Sequence, residues 1–376
     1  MRHSLRKPFV AALTVVILGA LAYRARGIIH LQSFSWDRLW NSVRSARVSL
    51  LLLSVAAIYA AYAVRALRWQ RFCRYLGRPS FASLYASTLI GFTALFLLGR
   101  AGEPVRPIVI ARKERLPVAS MFGIYVIERL FDGASTAVVA GLSLMMFPHM
   151  LSSGGVASVW EARARTTGVV LMGIFLAAML FVAYLRIRGS AALERRLQGW
   201  RTVRGWKRRA AAIFLGFFEG LQAIQSARDL LAAIVLSAVH WTVVALIYLW
   251  VPHAFGGRLG QLDFAGALLV LFFTMVGSAV QLPAIGGGSQ AASFLAFTVV
   301  FGVEKEPAAA ASIVLWLVTF AAASLAGVPL LIREGWSMGE LRRLARAEAD
   351  AEAAGAHVEV AEAPRAQAAK SGEPPR

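Results

Sequence analysis

The sequence predicts an all-α integral membrane protein, with six spanning helices and two opposed re-entrant hairpins in an inverted-repeat arrangement. Three observations carry that reading. First, 58% of the 376 residues are hydrophobic and only 16% are charged, with a mean hydropathy of +0.62. A soluble domain of this length needs far more polar surface to cover its core. Second, the apolar residues come in long blocks, at 48–67, 167–185, 230–251 and 308–332. Each is near the roughly 20 residues a helix needs to cross about 30 Å of hydrocarbon. Third, two further apolar blocks break into polar, Gly- and Pro-rich turns. Such backbone is tolerated at bilayer depth only where protein or a wet cavity surrounds it.

Forty Lys and Arg against 20 Asp and Glu give a net charge of +20. The basic residues flank apolar blocks, as at Arg65, Arg68, Arg71, Arg74 and Arg78, where topology-setting charges belong. Anionic lipid headgroups are therefore the expected partners, and nucleic acid is not. The single cysteine, Cys73, forms no internal disulfide. The six histidines lack metal-ligand spacing, so no cofactor is expected. His240, beside Trp241 in an apolar block, reads as a packed, hydrogen-bonded histidine.

Taken in order, the first span covers about 8–23. Its basic start and Ala20-Leu21-Ala22 end resemble a signal peptide, but an uncleaved span with a cytoplasmic N-terminus suits a chain whose remainder is mostly membrane-embedded. The stretch 28–47, with Trp36, Leu39, Trp40 and Val43 among polar residues, reads as an amphipathic helix at the outer interface. Span two, 48–67, returns to the Arg65–Arg78 cluster. The block 81–98 then runs into Gly99-Arg100-Ala101-Gly102-Glu103-Pro104-Val105-Arg106-Pro107, and a basic cluster at Arg112, Lys113 and Arg115 comes next. A full crossing puts that cluster outside; a hairpin over about 81–111 that dips in and returns keeps both basic flanks cytoplasmic.

Span three, 118–147, leads to an outer loop near 152–165, and span four, 167–185, comes back. The loop from Arg186 to Arg209 is the most basic in the chain and is read as cytoplasmic. An interfacial helix at 213–224 precedes span five, 230–251. The second hairpin, about 262–303, turns at Pro283-Ala284-Ile285-Gly286-Gly287-Gly288-Ser289-Gln290 and enters from the outer side. The last span, 308–332, ends at Arg333, with Arg342, Arg343 and Arg346 beyond it. Residues 1–334 thus form one polytopic domain, and 335–376 a cytoplasmic tail that starts helical and frays. Pro117-Val118-Ala119 and Pro307-Ala308-Ala309 open a long span after each hairpin, as inverted repeats with broken helices do.

The residues able to carry chemistry gather at the first turn and in span three. Glu103 lies between Arg100 and Arg106, and Glu128, Arg129 and Asp132 sit far from either end of their span. A charge at a helix centre in the bilayer costs about 2.5–3.5 kcal/mol on insertion scales, so such residues are paired or line a cavity. Glu128 and Asp132 share a helix face, with Arg129 about 100° away. Two readings stand together: a salt-bridge cluster holding the first hairpin on span three, and a polar cavity whose arginines meet a phosphate. The Gly286-Gly287-Gly288 turn either permits close backbone packing or, with Ser289 and Gln290, offers N–H groups to an anion. Arg68-Trp69 and the tryptophans near boundaries read as an interfacial belt.

Gly99-Arg100-Ala101-Gly102-Glu103-Pro104-Val105-Arg106 followed by Glu128-Arg129-Leu130-Phe131-Asp132 resembles the paired motif of the lysylphosphatidylglycerol synthase transmembrane-region family, also called flippase-like. Pro283 with Gly286-Gly287-Gly288 is similar to its second, looser motif, and the likeness runs from about Val48 to Ile332. Where that motif often carries a glutamate, this chain has Gln290. The family's full synthases carry a soluble catalytic domain after the membrane part, where this sequence has a short tail. The resemblance therefore implies handling or translocation of an anionic lipid or lipid-linked headgroup in a bacterial inner membrane, and not aminoacyl transfer by this chain alone. Arg100, Glu103, Arg106, Glu128, Arg129, Asp132, Gly286, Gly287, Gly288 and Gln290 are the expected substrate contacts. The alternatives are a lipid-linked glycosyltransferase, for which Asp37 is the acidic candidate, and an accessory subunit of a separate lipid-modifying enzyme.

Overall fold

The computed structural model describes residues 34–146, 223–278, 281–282 and 286–335, and single positions at 166, 169, 170, 173, 220 and 339. The expected first span, the loops at 152–165 and 186–209, nearly all of span four and of the interfacial helix, Pro283 and the tail lie outside the described residues. What is described is helical, apart from one two-residue ladder.

Helix α1 (Trp36–Ser45) is capped by Ser35, whose hydroxyl accepts from the Arg38 amide at 3.3 Å. It buries none of its residues and rests on the last long helix among the described residues through Glu306, which accepts from the Ser35 amide at 3.0 Å. Helix α2 (Val48–Cys73) runs past the expected end of span two, since no Gly or Pro interrupts it before Gly77. Helix α3 (Phe81–Leu98) starts at the Ser80 cap. It stops at Gly99, whose φ of 63° lies in the left-handed region that glycine tolerates. A short 3-10 turn, Gly99–Gly102, leads into α4 (Val105–Glu114), which begins at Pro104 and ends with Arg115 in the left-handed conformation. Helix α5 (Val118–Met146) comes after it.

The second half repeats this order. Helix α6 (Ala227–Phe255) opens with a capping box between Ser226 and Asp229. Helix α7 (Phe264–Gly277) is capped by Asp263, which accepts from the Gly266 amide at 2.7 Å. Strands β1 (Gln281–Leu282) and β2 (Gly286–Gly287) pair antiparallel across the second turn, Gln281 against Gly287 and Leu282 against Gly286. Helix α8 (Gly288–Leu295) ends in a π turn, Ala296–Val300. Helices α9 (Lys305–Trp316) and α10 (Ala322–Arg333) join through a second π turn, Leu317–Ala321.

Helices α2 and α6 form the central pair and run antiparallel. The Arg47 amide donates to the Ala254 carbonyl at 2.8 Å at one end, and Arg74 meets Asp229 at 2.6 Å at the other. Helix α3 packs on α10, and α7 packs on α5. Exchange α2 with α6, α3 with α7, α4 with α8 and α5 with α9–α10, and these pairings map onto one another. Because corresponding helices run in opposite directions, the two halves are related by inversion of their order across the bundle.

Each hairpin returns to the end from which it starts. Gly77, before α3, lies against Leu116, after α4: a Cβ on the glycine would come within 2.9 Å of the leucine side chain. Lys113, on α4, also pairs with Glu334 at the end of α10. At the opposite end, Gly266 of α7 faces the Phe301 ring, and Arg258 donates to the Gly302 carbonyl at 3.4 Å. The two turns meet: the 3-10 turn packs on β1, and Arg100 Nη2 donates to the Ser278 carbonyl at 3.4 Å.

By length and composition, four helices among the described residues can cross a membrane: Val48–Cys73, Phe81–Gly102, Ala227–Phe255 and Lys305–Arg333. Phe264–Gly277 and Gly288–Val300 are apolar but shorter. The core has two main parts. Trp69, Phe72, Leu84, Ile110, Met121, Ile124 and Phe131 fill one part; Tyr62, Ile247, Tyr248, Leu268, Phe297 and Leu315 fill the other.

Within each hairpin a glycine of the first arm admits a side chain of the second. A Cβ on Gly91 would meet Arg106 Cβ at 2.5 Å, and one on Gly277 would meet Ala292 Cβ at 2.6 Å and strike the Gly288 carbonyl. Small residues let helices in lipid approach this closely. Gly277→Val is expected to lower the thermal midpoint of the purified protein in detergent, at a cost of about 1–3 kcal/mol for overpacking. Gly260→Ala, whose Cβ meets nothing within 4 Å, is the matched control and is expected to leave the midpoint unchanged.

Candidate functional site

Helices α2, α4, α5 and α6 converge on one charged cluster. Along α2, Ile58, Ala61, Tyr62, Arg65, Arg68, Trp69 and Phe72 are all buried and form one stripe at helical spacing. The stripe brings Arg65 and Arg68 against Glu128 and Asp132, which share a face of α5 because they lie four residues apart. Arg65 Nη1 lies 2.8 Å from Glu128 Oε1, and Arg65 Nη2 lies 2.9 Å from Asp132 Oδ2. Arg68 Nη2 bridges the same two carboxylates at 3.0 and 2.8 Å, while its Nη1 donates to the Ser237 hydroxyl of α6 at 2.7 Å. From α4, Arg106 meets Glu128 in a two-pronged contact, Nη1 to Oε1 at 3.1 Å and Nη2 to Oε2. That fork-on-fork geometry is one a lysine cannot reproduce.

Aromatic rings complete the lining. The Arg106 guanidinium lies over the Trp69 ring at 4.9 Å, and that of Arg65 over Phe92 at 5.3 Å. A ring face attracts a desolvated cation and replaces part of its lost hydration. His240 closes the α6 side: its Nε2 accepts from Arg65 Nε at 3.2 Å and its Nδ1 donates to the Ala61 carbonyl at 3.2 Å. Between a donor and an acceptor the ring is held in a single neutral tautomer. This agrees with the packed histidine expected from the sequence.

Arg129 joins from the edge. Although its position on the helix is turned away from the Glu128–Asp132 face, its side chain folds back to Asp132 Oδ2 at 3.0 Å and reaches Glu128 Oε2 at 3.7 Å. It also lies over the Tyr125 ring at 5.1 Å. Arg129 is 41% exposed, whereas Glu128 is fully buried. Four arginines thus surround two carboxylates, and the surplus positive charge reaches the open edge at Arg129. In a low-dielectric interior that surplus favours an anion.

Glu103 belongs to a separate, outer link. It accepts from the Tyr125 hydroxyl at 2.5 Å and pairs with Arg100 at 3.3 Å, so among the described residues its link to the cluster runs through Tyr125. Arg100, 56% exposed, joins the two hairpin tips. Gly286, Gly287 and Gly288 form the second tip, where Gln290 Oε1 accepts from the Gly287 amide at 2.6 Å. Among the described residues no hydrogen bond or ion pair joins these four to the cluster. Gln290 closes its own turn, as a capping residue does. Asp37 sits exposed in the first turn of α1, at the end of the bundle away from Arg74.

The structure corrects two expectations from the sequence. Arg65 and Arg68 are not boundary charges: they lie 6% and 1% exposed inside the bundle, and Trp69, at 0%, is no interfacial anchor. The reason is the length of α2, which carries these residues opposite two carboxylates before reaching the membrane edge. The sequence signal was the continuous buried stripe from Ile58 to Phe72, which a count of flanking charge passes over. Ser237 carried no signal of its own.

Among the described residues, no group of three or more His, Cys, Asp and Glu could hold a metal ion. A comparison with curated proteins returns no match. A family model, described as the lysylphosphatidylglycerol synthase TM region, matches residues 9–327. That span contains both hairpins, nearly all of the long helices packed around them and every residue of the arginine cluster, so the chain is a membrane protein that belongs to the lysylphosphatidylglycerol synthase transmembrane-region family.

Proposed function

We propose that this chain translocates an anionic lipid, or the polar headgroup of a lipid-linked molecule, between the leaflets of a bacterial cytoplasmic membrane. It moves the lipid without modifying it; chemical modification belongs to a separate enzyme. The observation that carries the reading is the excess of arginine in the buried cluster, with Arg129 at its open edge. Arg106 and Arg129 engage the phosphate. Glu128 and Asp132 hold the arginines at fixed spacing, so their geometry does not have to be assembled when the headgroup arrives. Glu103 positions Tyr125 beneath Arg129.

The two hairpins are re-entrant in this reading, one from each leaflet, within a set of six crossings, and their tips separate the two aqueous sides. The end carrying Arg74, Arg78, Arg112, Lys113 and Arg333 is cytoplasmic. Acidic residues nearly balance the basic ones at the other end, where Asp37, Asp263, Glu304 and Glu306 accompany Arg38, Arg44, Arg47, Arg258 and Lys305. Halves of opposite direction meeting at mid-bundle suit alternating access, in which one repeat rocks against the other around a fixed site.

Two measurements test this. In a Cys73→Ser background, single cysteines at Arg78 and Arg112 are expected to react with an impermeant thiol reagent only from the cytoplasmic side, and one at Gln261 only from the other. Reaction of Arg78→Cys and Arg112→Cys from different sides ends the re-entrant reading. In reconstituted vesicles, Arg106→Ala is expected to slow headgroup translocation by about ten- to a hundredfold, the worth of a charge-assisted hydrogen bond of about 1.5–3 kcal/mol. Its fold survives, because Glu128 keeps Arg65 and Arg68. Glu128→Ala takes the carboxylate from the buried Arg106, while Arg65, Arg68 and Arg129 keep Asp132, and is expected to cost about 3–5 kcal/mol of stability. Unchanged translocation by well-folded Arg106→Ala and Glu103→Ala proteins removes the site assignment.

A further inference from the structure

The α2–α6 pair has two sides. One buries Arg65, Arg68, Ser237 and His240 in the cluster. On the other, Leu67, Gln70 and Arg71 of α2 and Arg74 at its C-cap succeed one another at i, i+3, i+4 and i+7, and Ala232, Val235 and Leu236 of α6 at i, i+3 and i+4. These two faces line a groove of about 540 Å³, within the range of ligand pockets. We propose that this groove holds one anionic phospholipid as a resident ligand, distinct from the lipid that is moved.

The groove is polar at one end and apolar at the other. Because α2 and α6 run antiparallel, Leu67 lies beside Val235 and Leu236 toward the middle of the bundle, and Arg71 and Arg74 lie beside Ala232 and Asp229 at its basic end. The small side chain of Ala232 leaves the space open next to Arg71. Leu67 and Val235 are 40% and 49% exposed on this face, suited to an acyl chain. Arg74 is fixed by Asp229 at 2.6 Å and by the Tyr75 ring at 4.6 Å, and Arg71 is exposed beside it. Arg78 and Arg228 add charge of the same sign at this end. A phosphate without a neighbouring ammonium is the headgroup that this field selects, and the order of apolar wall and basic rim matches a lipid standing in the leaflet at that end.

The experiment is native mass spectrometry of the full chain, taken gently from vesicles of equal phosphatidylglycerol and phosphatidylcholine. Wild type is expected to retain one phosphatidylglycerol. Arg71→Gln weakens retention about fivefold, the worth of one surface arginine near anionic lipid, and Arg71→Lys restores it. Ala232→Phe fills the groove and abolishes retention, while Arg106→Ala leaves it intact, which separates this site from the translocation cluster. Equal retention of both lipids, retention by Ala232→Phe, loss in Arg106→Ala, or disulfide-linked dimers formed by Leu67→Cys through a second copy in the groove each overturn the proposal.

Discussion

Glu128 and Asp132 are the point on which the rest of this molecule turns. Three helices bring cations to these two carboxylates: α2 with Arg65 and Arg68, α4 with Arg106, and α5 itself with Arg129. None of those arginines is tolerable at such depth without an acidic partner. The first hairpin is therefore held on the bundle by charge as well as by packing, since its second arm meets α5 through the Arg106–Glu128 contact. Lipid tails are as apolar as leucine, so burying more leucine does not drive helices together in a membrane. Ion pairs and close approach at small residues do that work here.

Much of this was legible from residue order. The long apolar blocks gave the helices, and the Gly- and Pro-rich breaks gave the two turns. Gly77, before α3, lies against Leu116, after α4. Glu128, Arg129, Asp132 and Arg106 announced themselves as charges in apolar surroundings. Arg65 and Arg68 did not, because they stand next to a run of further arginines and share its appearance. Flanking charge and buried charge differ in burial, and burial at Arg68 is decided by α5, far along the chain. Glu103 misled in the opposite direction: its closeness in sequence to Arg106 suggested a shared cluster, but Glu103 meets Tyr125 and Arg106 meets Glu128.

The two halves are alike in path and unlike in chemistry. Gly91 faces Arg106 in the first hairpin, and Gly277 faces Ala292 at nearly the same separation in the second. Where α2 presents Arg68 to α5, α6 presents Tyr248, whose hydroxyl meets Thr274 of α7 and Thr319 of the π turn. The hydroxyls of Tyr59 and Tyr62 also donate to the carbonyls of Ala322 and Thr319, at 2.6 and 3.3 Å, at the turn where helical bonding is irregular. The interior around the π turn is thus satisfied by neutral hydroxyls and that around Glu128 and Asp132 by ions.

That difference bears on how such a bundle can move. Separating hydroxyls from carbonyls costs about 0.5–1.5 kcal/mol per hydrogen bond, and water entering the gap replaces what is lost. Separating Arg106 from Glu128 in a dry interior costs more, because a bared carboxylate has no comparable substitute until water or a cation reaches it. The arginines face the same constraint, and a phosphate meets their need as a carboxylate does. In the translocation proposed above, an arriving headgroup takes the place of Glu128 at Arg106 without leaving the guanidinium unpaired, while Arg65 and Arg68 keep the carboxylate satisfied; a neutral molecule of similar size cannot do this. On that proposal, motion and anion binding are coupled through the same charges around Glu128. Around the π turn, where the interior groups are neutral hydroxyls, they are not.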